Sequence, residues 1–486
     1  MRLSNATLAN LPGHVLRPTY DRSKVTTSIL HLGIGAFHRA HQAVYTDAVL
    51  ASGDLNWGIA GAGVISAEMK NALAPQDGLY TMYARGADFQ QARVIGSITE
   101  LFGGPEEADA VLKRMSDPAI RIVSITVTEK GYYLDPATGE LNLNAEPIRK
   151  DLANPQHPTT ILGLIVHGLD QRRKLKIPPF TVMSCDNLPS NGILARKAVI
   201  GFARECDAEL AAWIEREVCF PCTMVDRITP ATTDADRAEI AGLIGMEDVW
   251  PVVTEEFTQW VIEDTFSMGR PDWTIGGGIF SNEIECWENM KLRCLNGAHS
   301  TLAYLGQLFG RETVASAMGF GLITDVLDEL WLEIREVLHA PQGVNTADYV
   351  ESLKQRFRNP NLRHLTIQIA SDGSQKLPQR LLAPLRERIA KGLPYPAIAT
   401  AIAAWVHFIA KSAYAENPSI NDPMAQELIR RARLSRQGDE IVVNLLGIEK
   451  IFGNDLPANP QFVNAVIEKC NGLHAKQTSS PASWVI

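Results

Sequence analysis

The chain has 486 residues, 45% apolar and 21% charged, with a formal net charge of -9. That length calls for two or more domains with ample core. The composition is that of an ordinary soluble globular protein, and the negative charge argues against a general nucleic-acid binder, which needs a basic face.

Residues 1–16 carry Arg2, Asn5, Asn10 and Pro12 and no apolar run. No targeting segment is read there, and a cytoplasmic protein is expected. The longest apolar run, residues 396–410, contains Thr400 and His407 and is too short for a membrane span, so it reads as a buried helix and no membrane partner is expected. Seven cysteines are scattered along the chain. Only Cys219-Phe-Pro-Cys222 forms a C-x-x-C pair; a zinc site would need further ligands at similar spacing, and a redox pair is the alternative. No metal ligand set is assigned.

Residues 1–24 read as an extended entry segment. Residues 27–33 read as a buried strand, followed by Gly33-x-Gly35 and a helical stretch over 37–50. Strand, glycine turn and helix is the context of a dinucleotide site. Glycines let the backbone approach a pyrophosphate, and N–H groups at the helix start can receive it. Gly33, Gly35, Ala36 and Phe37 are the candidate contacts. His38 stands where G-x-G-x-x-G would have its third glycine, and an ordinary strand-to-helix turn would look the same.

Residues 57–64 read as the second strand. Glu68, just past its end, is the candidate for the adenosine ribose, because a carboxylate accepts from the 2′-OH and repels a 2′-phosphate. A solvated loop glutamate is the alternative. Residues 93–98 read as a strand, 106–115 as a helix, and 121–128 as a β-branched strand ending at Thr128 and Glu129, where a parallel strand faces the cofactor crevice. A helix over 161–174 and a strand over 180–185 lead to Asp186 and Asn187. Alternating strands and helices predict a parallel α/β sheet. Residues 273–284, with Gly276-Gly-Gly278, read as a last extended piece closing a Rossmann-like domain over 1–285. Apolar positions spaced by three and four over 302–309, 323–338, 349–357 and 396–410 predict an all-helical domain over 286–486. The Ser/Pro-rich tail, 476–486, reads as loosely held.

The helical half opens with Lys291-Leu-Arg-Cys-Leu-Asn-Gly-Ala-His299. In a regular helix, at about 100° per residue, His299 lies about 80° from Lys291 and Asn296 about 140° from it. An ammonium, an amide and an imidazole can together surround one alcohol or carbonyl oxygen. A solvated helix face would carry the same residue types.

Lys-x-x-x-Leu-Asn-Gly-x-His resembles the signature of the polyol-specific long-chain dehydrogenases, the mannitol dehydrogenase family. The likeness extends through Gly-Ile-Gly-Ala-Phe-His-Arg-Ala-His-Gln at 33–42, Thr-Val-Thr-Glu-Lys-Gly-Tyr at 126–132, Thr-Val-Met-Ser-Cys-Asp-Asn-Leu-Pro at 181–189, Met-Val-Asp-Arg-Ile at 224–228 and Ser-Asp-Gly-Ser-Gln-Lys-Leu-Pro at 371–378. The missing third glycine is a trait of the family. The resemblance implies NAD as cofactor, hydride transfer to or from a secondary alcohol without metal, and a site between the two domains. It implies Lys291 as acid/base, Asn187 and Asn296 against the reacting oxygen, His299 on a neighbouring hydroxyl, Asp226 and Lys376 as substrate contacts, and Glu288 as a proton relay. For Glu288 a plain i,i+3 ion pair is the alternative. A free lysine, with a pKa of about 10.4, is a poor base; burial beside a positive nicotinamide is expected to lower it.

Arg293 and Lys376 would suit a substrate carboxylate, with Arg380 and Arg363 further off; for Arg293, pointing outward to pair with a surface acid is the alternative. Arg293, Gln368 and Lys376-Leu-Pro-Gln-Arg380 resemble the fructuronate reductase (mannonate oxidoreductase) branch, whereas Asn187-Leu-Pro-Ser-Asn-Gly and Trp250-Pro-Val-Val resemble mannitol 2-dehydrogenases. The expected substrate pair is D-mannonate and D-fructuronate, with mannitol/fructose or arabinitol as alternatives. A non-catalytic sugar or nucleotide sensor on the same fold is the rival of another class. A monomer or small homo-oligomer is expected.

Overall fold

Five strands, Thr27–Leu32 (β1), Gly58–Gly63 (β2), Ile98–Gly103 (β3), Ile122–Ile125 (β4) and Thr181–Ser184 (β5), form one sheet in the order β3-β2-β1-β4-β5. Every neighbouring pair is parallel. The structure is a computed structural model and describes residues 1–135 and 138–478. Parallel strands covered on both faces read as continuous apolar runs, and all six residues of β1 are buried. The order reverses at β1, so the sheet has its topological switch point between β1 and β4, as a Rossmann-like arrangement requires.

The helix Ile161–Leu175 joins the β4 and β5 region. Thr160 caps it by accepting from the Gly163 N–H, and Lys176 ends it in the left-handed conformation. Two helices after β5, Asn191–Cys206 and Ala208–Glu217, were not foreseen from sequence.

The N-terminal unit spans Met1–Glu285 and carries two smaller sheets. One joins Gln90–Ile95, Tyr80–Arg85 and Val252–Thr254; the other joins Ile279–Phe280, Gln259–Ile262 and Thr223–Asp226. The strand predicted over 93–98 is therefore two strands. Between them the Gly96 N–H donates to Asp47 and the Ser97 hydroxyl to the Ala43 carbonyl, which turns the chain from one sheet to the other. Within 273–284 the chain makes a 3-10 turn, Trp273–Gly276, before the short strand Ile279–Phe280.

In the unit Cys286–Ile486 the regular elements among the described residues are all helices. Its axis is Pro396–Ala413, buried along nearly its whole length. That helix is long and apolar enough to cross a membrane, but here it packs against Gly297–Leu308, Gly321–Arg335 and Pro460–Thr478. Its N-terminus is held by Glu333, whose carboxylate accepts from the Ala397 and Ile398 N–H groups. Burial pushes the Glu333 carboxyl up to about 7. The predicted loose tail begins within the helix Pro460–Thr478, and its residues 479–486 lie outside the described residues.

Candidate active site

A cavity of about 840 Å³ opens at the carboxyl ends of β1, β2, β4 and β5. Gly33, Gly35, Ala36, Phe37, Glu68, Thr128, Glu129 and Asn187 all line it. Gly33 has φ +104°, and a Cβ there would lie 2.2 Å from the Thr126 carbonyl oxygen, so only glycine fits. The Gly35 N–H turns back onto the Gly33 carbonyl at 2.7 Å, and a helix starts at Ala36. The N–H groups of that first turn have no partner within the helix and can receive a phosphate. The predicted helix over 37–50 is two helices, Ala36–Ala40 and Gln42–Ala51, broken at His41.

His38, in the third-glycine position, is buried and stacks on His31 with ring centroids 3.5 Å apart and planes 13° off parallel. His31 is fixed by Ser124 and Thr126. A stacked imidazole pair thus fills the space that close helix–strand packing would otherwise close with glycine. Burial holds both rings neutral, driving His31 down to about 3 and His38 well below its ordinary range. Neither His38 nitrogen meets a protein partner among the described residues.

The other wall is set by Asp186, a residue that sequence reasoning passed over despite its place at the end of β5 beside Asn187. Its Oδ1 accepts from the Val127 and Thr128 N–H groups, and its Oδ2 from the Tyr132 hydroxyl at 2.6 Å. Thr128 has φ +64° and ψ 168°, a region that costs a side-chain-bearing residue about 1–3 kcal/mol. Asp186 offsets that strain and points the loop at the cavity. Burial raises its carboxyl above the usual range, while these donors pull it back.

Glu68 is exposed at the start of the helix Glu68–Leu73, where its carboxylate can reach a ribose at the end of β2. Asn187 and Glu129 are exposed on the cavity. Asp226 is buried at the end of Thr223–Asp226, opposite Gln259. The glycine cradle, the switch-point position and the carboxylate beyond β2 fit a dinucleotide.

In the helical unit, the signature does not form a regular helix. Residues Ile284–Met290 are α-helical, Lys291–Asn296 form a π-helix, and Gly297–Leu308 resumes the α-helix. The Gly297 N–H reaches back five residues to Leu292. In such a turn residue i+5 takes the place that i+4 has in an α-helix. Asn296 therefore comes onto the Lys291 side, which overturns the roughly 140° separation of a regular helix. Glu288 sits in the last turn before the π segment and is half-buried.

Lys291 and His299 are both buried, 7% and 6% exposed. The His299 ring lies 4.5 Å from Phe357 and 5.1 Å, edge-on, from His364. Its Nε2 has no partner among the described residues. Burial, then the nearby His364, Arg356, Arg380 and Lys291, hold it well below its ordinary pKa, so it is a neutral ring. A second π segment, Pro378–Leu382, packs on the first and carries Arg380.

Two expected substrate cations are engaged elsewhere. Arg293 makes a fork with Glu387 at 2.7 and 3.1 Å, the pairing with an acid that was the alternative to its reading as a carboxylate receptor. Lys376 donates to the Ser371 carbonyl at 2.6 Å and the Ile369 carbonyl at 3.3 Å, with Asp372 at 3.7 Å. Burial and Arg380 lower its pKa. Cys222 is buried, Cys219 is partly so, and none of the seven cysteines is in a disulfide. Among the described residues no group of three or more His, Cys, Asp or Glu side chains is arranged to hold a metal.

Comparison with known proteins matches residues 27–275 to the mannitol dehydrogenase Rossmann domain and residues 283–474 to the mannitol dehydrogenase C-terminal domain. The chain is 44% identical to D-mannonate oxidoreductase of Escherichia coli (strain K12), covering 94% of this chain and 95% of that one. It is 38% identical to mannitol 2-dehydrogenase of Pyrenophora tritici-repentis, covering 97% and 84%. The fold is similar to the Pseudomonas fluorescens mannitol 2-dehydrogenase solved as a ternary complex with NAD and D-mannitol, at 38% identity and a TM-score of 0.85, covering 99% and 98%.

Proposed function

The chain belongs to the mannitol dehydrogenase family of oxidoreductases, and on that premise we propose that it interconverts a sugar-acid alcohol and its ketone with NAD, D-mannonate and D-fructuronate being the favoured pair. The carrying observation is the charge around the π-wound signature. After burial, His364, Arg356, Arg380 and Lys291 are the groups that most disfavour a proton on His299, three of them cations. An anionic substrate suits that surrounding better than a neutral one.

The Gly33–Gly35 turn and Glu68 would hold NAD, whose nicotinamide would accept the hydride in oxidation and donate it in reduction. The protein's part is to orient the carbinol and move one proton. In oxidation the Lys291 amine takes the hydroxyl proton as the hydride leaves the same carbon, so alcohol becomes ketone and amine becomes ammonium. The amides of Asn187 and Asn296 donate to the oxygen while it carries alkoxide character. The neutral His299 uses Nε2 on an adjacent hydroxyl. Glu288 passes the Lys291 proton on to solvent. Asp226 holds a further hydroxyl. Lysine as the proton acceptor leaves no step that calls for a metal.

A second reading, mannitol to fructose, draws on the likeness to the mannitol complex and on the Asn187-Leu-Pro stretch. Steady-state rates with mannonate, fructuronate, mannitol, fructose, arabinitol and altronate, each with NAD(H) and after exhaustive chelation, test both. Mannitol turned over better than mannonate would replace the first reading by the second. Turnover lost with a stoichiometric metal would end the metal-independent mechanism, and binding without turnover would make the protein a sensor.

A further inference from the structure

We propose that Arg380 is the residue that receives the substrate's carboxylate, and so sets preference for sugar acids over neutral polyols. This deepens the sugar-acid reading above and rests on it.

The cations near the signature sort by their partners. Arg293 is taken by Glu387, Lys354 by Asp328, Arg386 by Asp455 and Arg388 by Glu336. Lys376 is held by backbone oxygens and Asp372. Arg380 differs. No carboxylate lies within ion-pair distance of it among the described residues, and only its Nη1 donates, to the Asn296 carbonyl at 3.3 Å and the Ser300 hydroxyl at 3.1 Å. Both acceptors belong to the stretch that carries Lys291 and His299.

A half-buried guanidinium without a counter-ion is costly unless an anion completes it. Burial moves Arg380 down to about 10, so it remains a cation at neutral pH. Its field reaches the neutral His299, whose buried Nε2 has no hydrogen-bond partner among the described residues. A sugar acid offers what this pair lacks. Its carboxylate fits the planar fork of donors still open on Arg380, and a hydroxyl of the same molecule can bond to His299 Nε2. A neutral polyol would leave the guanidinium unmatched.

The test uses the full-length enzyme and the variants Arg380→Gln and Arg380→Lys. Arg380→Gln is expected to raise KM for D-mannonate and D-fructuronate about ten- to a hundredfold, the scale of a lost charge-assisted contact. KM for D-mannitol and D-fructose should change less than about threefold on the same reasoning, because they carry no charge to lose. Arg380→Lys should fall between, and added guanidinium should restore part of the loss in Arg380→Gln. In the wild type, salt should raise KM for mannonate and leave KM for mannitol nearly unchanged, a measurement that needs no variant. Equal losses on charged and uncharged substrates would overturn the inference and leave Arg380 as a positioning residue for the π segment. Should the wild type prefer mannitol, calorimetry with D-gluconate still decides: binding that Arg380→Gln abolishes supports the anion site, and binding absent from the wild type or unchanged in the variant removes it.

Discussion

The carboxylate of Asp186 accepts the N–H of Thr128 at 2.9 Å across 58 residues of sequence, and Thr128 takes a positive φ there. The bond joins the ends of β4 and β5 and shapes one wall of the cofactor cavity. It acts through one oxygen, Oδ1, that accepts two N–H groups, so acceptance at that oxygen is what the loop requires. Asp186→Ala is expected to raise KM for NADH about tenfold or more, the effect of leaving buried donors unmet. Asp186→Asn, which keeps Oδ1, should stay within about threefold of wild type. Cofactor titration by NADH fluorescence checks both, and an Asn variant as impaired as the Ala variant would mean that the charge is needed after all.

Lys291 is buried at the head of the π segment, whose winding brings Asn296 onto its side, and its charge acts on His299. Lys291→Ala should lower kcat for oxidation by at least about two orders of magnitude, the usual scale of general-base catalysis. NADH binding should survive, since the glycine cradle lies in the other unit. Single-turnover kinetics separate the two, and a near-normal hydride-transfer rate would pass the role to another group.

Glu68 is the acidic group beyond β2 on the cavity wall. Glu68→Lys should narrow or reverse the preference for NAD(H) by removing a ribose acceptor and the repulsion of a 2′-phosphate. The ratio of kcat/KM values for the two cofactors is the readout. A wild type that already prefers NADP(H) would place cofactor choice elsewhere.

Glu333 links stability to pH. Its carboxyl is raised to about 7 in the fold from 4.5 when free, so between those values the folded state binds the extra proton. Stability from this group is then fully present below about pH 4.5 and is lost as pH rises toward 7. The shift corresponds to at most about 3 kcal/mol. Glu333→Gln, which keeps an acceptor for the Pro396–Ala413 helix, should flatten that slope. Melting temperatures from pH 5 to 8 check it; an unchanged slope in the variant would show that other groups set the dependence.

The sequence by itself determined the parallel α/β first half, the helical second half and the residues of the signature. Residues 27–33 and 121–128 are apolar and β-branched because parallel strands are covered on both faces, so their burial is written locally. Gly33 was legible because a strand followed at once by a positive-φ turn tolerates little else. The Lys291, Asn296 and His299 set was legible as a motif, but its geometry was not. Whether a helix winds as α or π depends on what packs against it, and here a second π segment does. Tertiary structure alone decided which cations are spoken for. Arg293 and Arg380 look alike in the chain, yet Glu387, 94 residues from Arg293, neutralises the one and no carboxylate among the described residues meets the other. The same holds for the His31–His38 stack and the Asp186 anchor on Thr128. Charge pairing, ring stacking and acceptance by a distant carboxylate are short-range interactions between groups brought together only by the fold, and no local pattern records them.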